Sequence, residues 1–472
     1  MAALHISAAI LVIYALVSLV WPLRIKTGLK LVLGAIVIAF GLKYVVYSHF
    51  GSILMPDLPP YLIVAMEAAY SALMLMVLMA LIKDIFLFLR WLYRKFKRSR
   101  AIQKSAAQTI KGSASTKGSA VATKGATVAT ISSQVDAHRQ VGKSEFIFVN
   151  KRSGYGRPRI LLHSAIAAVA LVAGFGGTIS QFSVPDVVEH EIAIKNLPEE
   201  LEGFTIVQLT DLHLGPILKR DFLAGVVART NELKPDLVVI TGDLVDGPVS
   251  VLKDEFLPLN DLKASYGVLA VTGNHEYYSG VNSWLETWEA QGITFLDNQH
   301  VRLLKVPLAI AGVPDPRMGL RPVSGADVNK ALKTVRPYPF TEAAYRHWTD
   351  SVAAVGAAAG SAALNVSSYV TDALSDVSAN DAVVKILLAH EPTIMAQNPD
   401  VDLVLTGHTH GGTMFFLQPL IARFNLGYVS GLYQVNERTK LYVSNGTGIW
   451  SGFSCRVLVP AEITRFTLRA AD

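Results

Sequence analysis

Phe204-Thr205-Ile206-Val207-Gln208-Leu209-Thr210 runs directly into Asp211-Leu212-His213. A short, mostly apolar and β-branched run of this kind reads as a buried strand, and the polar cluster after it reads as a strand-end loop. Four more runs end in the same way. Leu237–Thr241 leads into Gly242-Asp243-Leu244-Val245-Asp246-Gly247, and Val268–Thr272 into Gly273-Asn274-His275-Glu276. Val384–Leu388 leads into Ala389-His390-Glu391, and Leu403–Thr406 into Gly407-His408-Thr409-His410-Gly411-Gly412. Helical stretches separate the runs, so the fold class is α/β. Ligands bind beyond the carboxyl ends of the strands in such sheets, which brings all five clusters to one edge.

The residue types in these clusters point to metal chemistry. They supply carboxylates, imidazoles and one amide, and no cysteine. That donor set suits Mn²⁺, iron, Zn²⁺ or Co²⁺. Two histidines at i and i+2 on a turn can face two separate ions, and an aspartate has two oxygens with which to bridge them. Asp-x-His alone is weak, because it occurs by chance. All five clusters in order, with 32 residues from Asp211 to Asp243 and 31 from Asp243 to Asn274, are far more specific.

The ordered set resembles the calcineurin-like metallophosphoesterase superfamily, whose signature is Asp-x-His, Gly-Asp, Gly-Asn-His-Asp/Glu, His and Gly-His-x-His. The resemblance covers roughly residues 186–470. It implies an αββα four-layer sandwich and two divalent or trivalent metal ions. Asp211, His213 and His410 would hold one ion. Asn274, His390 and His408 would hold the other, and Asp243 would bridge them. His275 would lie over the site without being a ligand, oriented by Asp246. Two ions about 3.5–4 Å apart lower the pKa of a shared water and clamp phosphoryl oxygens. His275 is then placed to protonate the leaving oxygen.

Departures from the pattern narrow the substrate. Protein phosphatases of the superfamily follow the second aspartate with arginine, whereas Gly247-Pro248 follows Asp246 here. The Asp-Leu-His-Leu-Gly opening and the His-Gly-Gly ending look more like the membrane-associated envelope branch. That branch includes phosphodiesterases and UDP-2,3-diacylglucosamine hydrolases. The implied activity is hydrolysis of phosphodiester or pyrophosphate bonds in lipid or envelope substrates, at a bacterial inner or plasma membrane. Two alternatives stay open: a nucleotide or general phosphomonoesterase using the same site, and a membrane sensor or scaffold that only binds. All seven candidate ligand positions and His275 are present, which weighs against the non-catalytic reading. Arg456 is expected at the surface in preference to a phosphate contact, Cys455 as a buried small hydrophobe, and Tyr277-Tyr278 either against a substrate ring or in ordinary packing.

The rest of the chain is chemically different. Of 472 residues, 51% are hydrophobic and only 17% charged, with one cysteine. Disulfide scaffolds, cysteine-based zinc modules and disorder are excluded. The net charge of +6 hides a split. Residues 1–179 carry 21 Lys and Arg against 5 Asp and Glu; residues 180–472 carry 22 against 32. Apolar runs Leu4–Leu23, Leu31–Tyr47, Tyr61–Ile82 and Ile160–Ile179 approach or exceed the length of a bilayer span. This predicts about four transmembrane helices: three within an anchor over residues 1–100, and a fourth at 159–180. A flexible linker at 101–158 separates them, and a catalytic domain follows at 186–472 with a helical insertion near 341–381. Basic clusters at Arg24–Lys30, Arg90–Arg100 and Lys151–Arg159 fall on one side if the N-terminus lies outside. The positive-inside rule then puts the catalytic domain outside the cytoplasm. The basic charge therefore needs no nucleic acid, and the sequence does not set the oligomeric state. Lys43 and Glu67 sit inside adjacent spans at similar depth, where pairing and snorkelling to the surface are equally open.

Overall fold

Strand runs this rich in apolar residues must be covered on both faces, and a pair of packed sheets does this. A computed structural model describes residues 2–115, 156–303, 306–315, 325–336 and 383–471. Twelve strands form two six-stranded sheets among these residues. In chain order they are β1 Asp186–Ile194, β2 Thr205–Leu209, β3 Leu237–Thr241, β4 Val268–Val271, β5 Ile293–Phe295 and β6 Gln299–Arg302. They continue as β7 Leu308–Gly312, β8 Val384–Leu388, β9 Leu403–Thr406, β10 Gly431–Gln434, β11 Lys440–Val443 and β12 Glu462–Ala470. The first sheet has the order β1-β12-β2-β3-β4-β5 and the second β10-β11-β9-β8-β7-β6. β2 to β5 run parallel, as do β7, β8, β9 and β11.

Alternation along each strand builds the layers. Ile206, Val239, Leu269 and Val271 of the first sheet meet Ile310, Ile386, Leu388 and Leu405 of the second in one buried cluster. Val207, Leu209, Val238 and Ile240 point the other way, onto Phe222, Val226, Trp284 and Trp288. Those four lie on helices Arg220–Glu232 and Val281–Ala290. Leu387, Val404 and Leu441 of the second sheet pack on Val328, Ala331 and Leu332 of helix Val328–Lys333. The sequence is helix, sheet, sheet, helix, with mixed α/β sheets as the strand pattern requires. The stacked indoles of Trp284 and Trp288, fully buried with centroids 4.7 Å apart, anchor the first helical layer.

The N-terminal part is helical: Ala2–Ala15 continued by a π-turn Leu16–Val20, then Thr27–Gly41, Lys43–His49, Pro60–Ser115 and Gly156–Ile179. Among the described residues, two helices are long and apolar enough to cross a membrane, Pro60–Ala101 and Ile160–Phe182. A third span arises if the pair Thr27–Gly41 and Lys43–His49, bent by 51°, counts as one. The first run forms only a shorter apolar helix, Leu4–Val20. Four spans were expected because an apolar count cannot see a bend or an early helix end. The helix from Pro60 also runs on through residues 101–115, which composition assigned to the linker. Ala, Gln and Lys there are good helix formers, so small residues alone do not end the helix. Residues 116–155 of the linker and the 341–381 insertion lie outside the described residues, and residues 156–158, also assigned to the linker, open the helix Gly156–Ile179.

The chain divides into two compact units, Met1–Val12 with Ile36–Leu75 and Val169–Asp472, and Ile13–Ala35 with Met76–Ala168. Within the first, Lys43 Nζ lies 2.7 Å from Glu67 Oε2, both fully buried, and Tyr47 donates to Glu67 at 2.9 Å. The two charges pair and do not snorkel. Tyr47 and Ile63 belong to the same apolar cluster as Leu214, Val245 and Leu252, so the catalytic layers and these helix ends share a core. Within the second unit, Tyr14 donates to Asp84 and Lys83 to the Ser18 carbonyl, a separate polar knot among apolar helices.

Candidate metal centre

Each parallel strand delivers its polar cluster at its C-terminal end. β2 presents Asp211 and His213, β3 presents Asp243 and Asp246, and β4 runs into helix Asn274–Ser279 with His275. From the second sheet, β8 presents His390, and β9 presents His408 and His410. The turns are tight. Asp211, His213, Asp243, His408 and His410 all take positive φ, between 46° and 68°. Non-glycine residues adopt this conformation at a cost that functional sites commonly carry. Gly273 and Gly407 permit the close approach. A Cβ on Gly273 would collide with the Asp243 carboxylate, and one on Gly407 with that of Asp211.

Three donor groups converge there. Asp211, His213 and His410 form one, and Asp243, His390 and His408 another. His213, Asp243 and His275 form a third, so geometry alone would also admit His275 as a ligand. His213 Nδ1 donates to Asp246 at 2.9 Å, which leaves its Nε2 lone pair facing His410 Nε2 at 3.1 Å. His390 Nδ1 donates to the Thr241 carbonyl at 2.7 Å, leaving its Nε2 3.1 Å from Asp243 Oδ2 and 3.2 Å from His408 Nδ1. Outer hydrogen bonds that fix a tautomer and free the inner nitrogen are the usual support of metal-ligating histidines. Asn274 Oδ1 is buried without a hydrogen-bond partner, an oxygen suited to a cation. The residues present thus fit a pair of cations of the hard to borderline class.

Electrostatics point the same way. Burial, followed by the charge on Asp243, raises the Asp211 pKa. Two crowded buried carboxylates resist sharing negative charge, and a cation relieves this. Asp243 itself is held well below its usual range. Burial opposes that, but His390 and His275 outweigh it. Burial, His213 and Arg456 hold His410 well below 6.5, and therefore neutral as a ligand must be. Burial would lower the pKa of His275, yet Asp243 and Asp246 raise it to about 9. Asp246 accepts from His275 Nδ1 at 2.6 Å as well as from His213, so one carboxylate orients two imidazoles.

Sequence reasoning missed three residues. Glu276 accepts from the amides of Gly273, Asp243 and Leu244 at 2.6, 3.0 and 2.6 Å, and so pins the loop that carries Asp243. A glutamate three residues into a helix start is half of a capping box, which could have revealed it. Arg456 is 4% exposed rather than on the surface. It donates to the His410 and Gly448 carbonyls at 3.2 and 2.9 Å. Burial lowers its pKa to about 10. Trp450 stands edge-on to His275 with centroids 5.7 Å apart. Nothing local in sequence marks the last two. Tyr277 donates or accepts with Thr272 at 2.9 Å, whereas Tyr278 is exposed with its ring 5.4 Å from that of His275. Cys455 is buried as expected.

Residues 204–412 match the calcineurin-like phosphoesterase family. A Danio rerio transmembrane protein with metallophosphoesterase domain is 34% identical over 331 residues, 68% of this chain and 64% of that protein. An uncharacterized metallophosphoesterase of Campylobacter jejuni is 32% identical over 315 residues, covering 66% of this chain and 70% of its own. Another from Aquifex aeolicus is 30% identical over 287 residues, covering 60% and 91%. The chain thus spans just under two thirds of the Danio rerio protein and most of the Aquifex aeolicus one. With two donor clusters joined at one strand edge, the chain belongs to the calcineurin-like phosphoesterase family.

Proposed function

We propose that the chain is a membrane-anchored hydrolase of phosphodiester or pyrophosphate bonds in lipid or envelope substrates, with its catalytic domain outside the cytoplasm. The observation that carries this reading is Asp243, which stands between the Asp211–His213–His410 group and the His390–His408 pair. Asp211, His213 and His410 would hold one ion, Asn274, His390 and His408 the other, and Asp243 would serve both. When bound, the ions activate water and neutralise phosphoryl charge. Glu276 keeps the Asp243 loop rigid. His275, fixed through Asp246, delivers a proton to the leaving oxygen. The Gly247-Pro248 turn offers no arginine to grip a phosphoprotein. The apolar helices and the asymmetry of basic residues support the anchored, outward-facing arrangement.

The full chain is the right material for the test, because removing residues before 186 would strip Tyr47 and Ile63 from the shared core. Reconstituted with Mn²⁺, it is expected to turn over bis(p-nitrophenyl) phosphate faster than p-nitrophenyl phosphate. A clear monoester preference moves the assignment to a phosphomonoesterase. Inertness towards both with Mn²⁺, Fe²⁺ and Zn²⁺ removes catalysis from the reading. Topology has its own readout. A reporter active only outside the cytoplasm should give signal when fused after residue 182 and none when fused within 105–140. The opposite pattern places the domain inside.

A further inference from the structure

The segment between β11 and β12 ties the metal centre to the apolar helices. At its upper end Trp450 abuts His275, and the Ser451 amide faces Asp246 Oδ2 at 3.4 Å. Next, the Gly452 carbonyl accepts from Lys43 Nζ at 2.8 Å, and the Ser454 amide donates to Glu67 at 3.2 Å. The Cys455 thiol lies 3.8 Å from the Gly174 carbonyl, and the Arg456 amide donates to the Gly177 carbonyl at 3.1 Å. Gly177 lies five residues inside the end of the apolar helix Ile160–Phe182. At 1.5 Å per residue that is about 7 Å of depth. The 452–456 loop is therefore wedged against the ends of apolar helices.

Where the chain leaves this wedge, its apolar side chains are bare. The Val457 amide donates to the Thr413 carbonyl at 2.9 Å, and the Phe415 amide to the Val457 carbonyl at 3.2 Å. This sets Leu458, 80% exposed, beside Phe415, 50% exposed. Helix Gln418–Phe424 and the turn after it add exposed Leu420, Phe424 and Leu426, with exposed Arg423 among them. Leu426 and Leu458 both hold positive φ, 55° and 57°. A strained backbone that keeps a leucine in solvent is unfavourable in water, so something apolar is expected to cover it. Aliphatic and aromatic side chains around a single arginine suit the boundary between headgroups and acyl chains. Gln418 Nε2 donates to the Gly411 carbonyl at 3.1 Å, so this face begins one hydrogen bond from the His410 turn.

We propose that Phe415, Leu420, Phe424, Leu426 and Leu458 form a membrane-contact face that seats the mouth of the metal centre on the lipid surface, so that the substrate is the phosphoester of an amphipath held in the bilayer. Lipid is the occupant because the face continues directly from chain already lodged among the apolar helices. The substrate class follows only if the hydrolase reading holds, whereas lipid contact stands on the wedge and the exposed side chains.

The single native cysteine is buried, so introduced cysteines can carry a polarity-sensitive dye. Phe415→Cys and Leu458→Cys, labelled in the full chain, are reconstituted in phosphatidylcholine/phosphatidylglycerol vesicles containing lipid with a doxyl quencher near the headgroup. The control is Glu200→Cys, beyond the far end of the nine-residue β1. Quenching at least threefold stronger at 415 and 458 than at 200 is expected; equal quenching at all three overturns the contact. In a second arm, Phe415→Ser/Leu458→Ser should lose at least tenfold in kcat/KM on a bilayer-embedded phosphodiester lipid. It should stay within twofold of the parent on bis(p-nitrophenyl) phosphate. Equal losses on both, or none on the lipid, overturn the substrate assignment. If the parent hydrolyses neither, the hydrolase reading fails, and the dye measurement still decides the lipid contact.

Discussion

Asp243→Asn is expected to strip the protein of bound metal and of activity together, whereas His275→Ala should keep its metal and lose rate. Asp243 is the only residue shared between the donor group that contains His390 and the one that contains His275. Its Oδ2 lies 3.1 Å from His390 Nε2 and 3.7 Å from His213 Nε2. An amide offers one neutral oxygen where the carboxylate shares its charge over two, so a residue serving two cations would lose one donor oxygen and its negative charge. Outer-shell changes alone cost about 10–100-fold in metal affinity, and a bridging ligand should cost more. His275 donates its Nδ1 proton to Asp246, and its loss removes a proton donor worth about 10²–10⁴-fold. Metal content by elemental analysis and kcat on the same samples separate the two variants. The His275→Ala defect should be largest on alkyl esters and small on p-nitrophenyl esters, whose leaving anion needs no proton. A His275→Ala protein that has lost one ion would make His275 a ligand, as its grouping with His213 and Asp243 allows.

The parts legible in sequence were those specified locally. An apolar run that ends in Asp-x-His or Gly-His-x-His states both its strand and its strand-end chemistry. The structure brings Asp211, His213, Asp243, Asn274, His275, His390, His408 and His410 to one edge because parallel strands leave no other place for their C-terminal loops. Residues whose environment is made by distant chain were illegible. Arg456 reads as a surface arginine until the His410 turn and the 446–448 loop close over it. The bend near Leu42 is hidden because an apolar count is the same for straight and broken helices. The Lys43–Glu67 contact lies between these cases: counting residues from the span ends put the two charges at one depth, but only packing could choose pairing over snorkelling. Tyr47 and the Ser454 amide complete that choice by satisfying the remaining carboxylate lone pairs.

Lys43→Leu should destabilise the protein far more than Lys43→Leu/Glu67→Leu, and both should be poor enzymes. Removing one partner of a buried pair leaves an uncompensated charge and typically costs about 3–5 kcal/mol. Here the stranded group would be Glu67, fully buried in a segment next to apolar helices. Removing both charges exchanges the pair for apolar volume, which is often neutral. Melting in detergent should therefore place the double variant near the parent and the single variant well below it. Equal stability of the two would mean that the charges do not depend on one another. Activity should not recover with stability. The same two side chains hold the Gly452 carbonyl and the Ser454 amide, and the residues on either side of these touch His275, Asp246 and His410. Without them the 450–456 segment keeps Tyr44 on the Gly452 carbonyl at 3.1 Å but loses its two charged anchors. A double variant with parental stability and metal content but a kcat reduced about tenfold would show that the buried pair acts by positioning the loop. Parental kcat in that variant would reduce Lys43 and Glu67 to a packing element of the apolar helices.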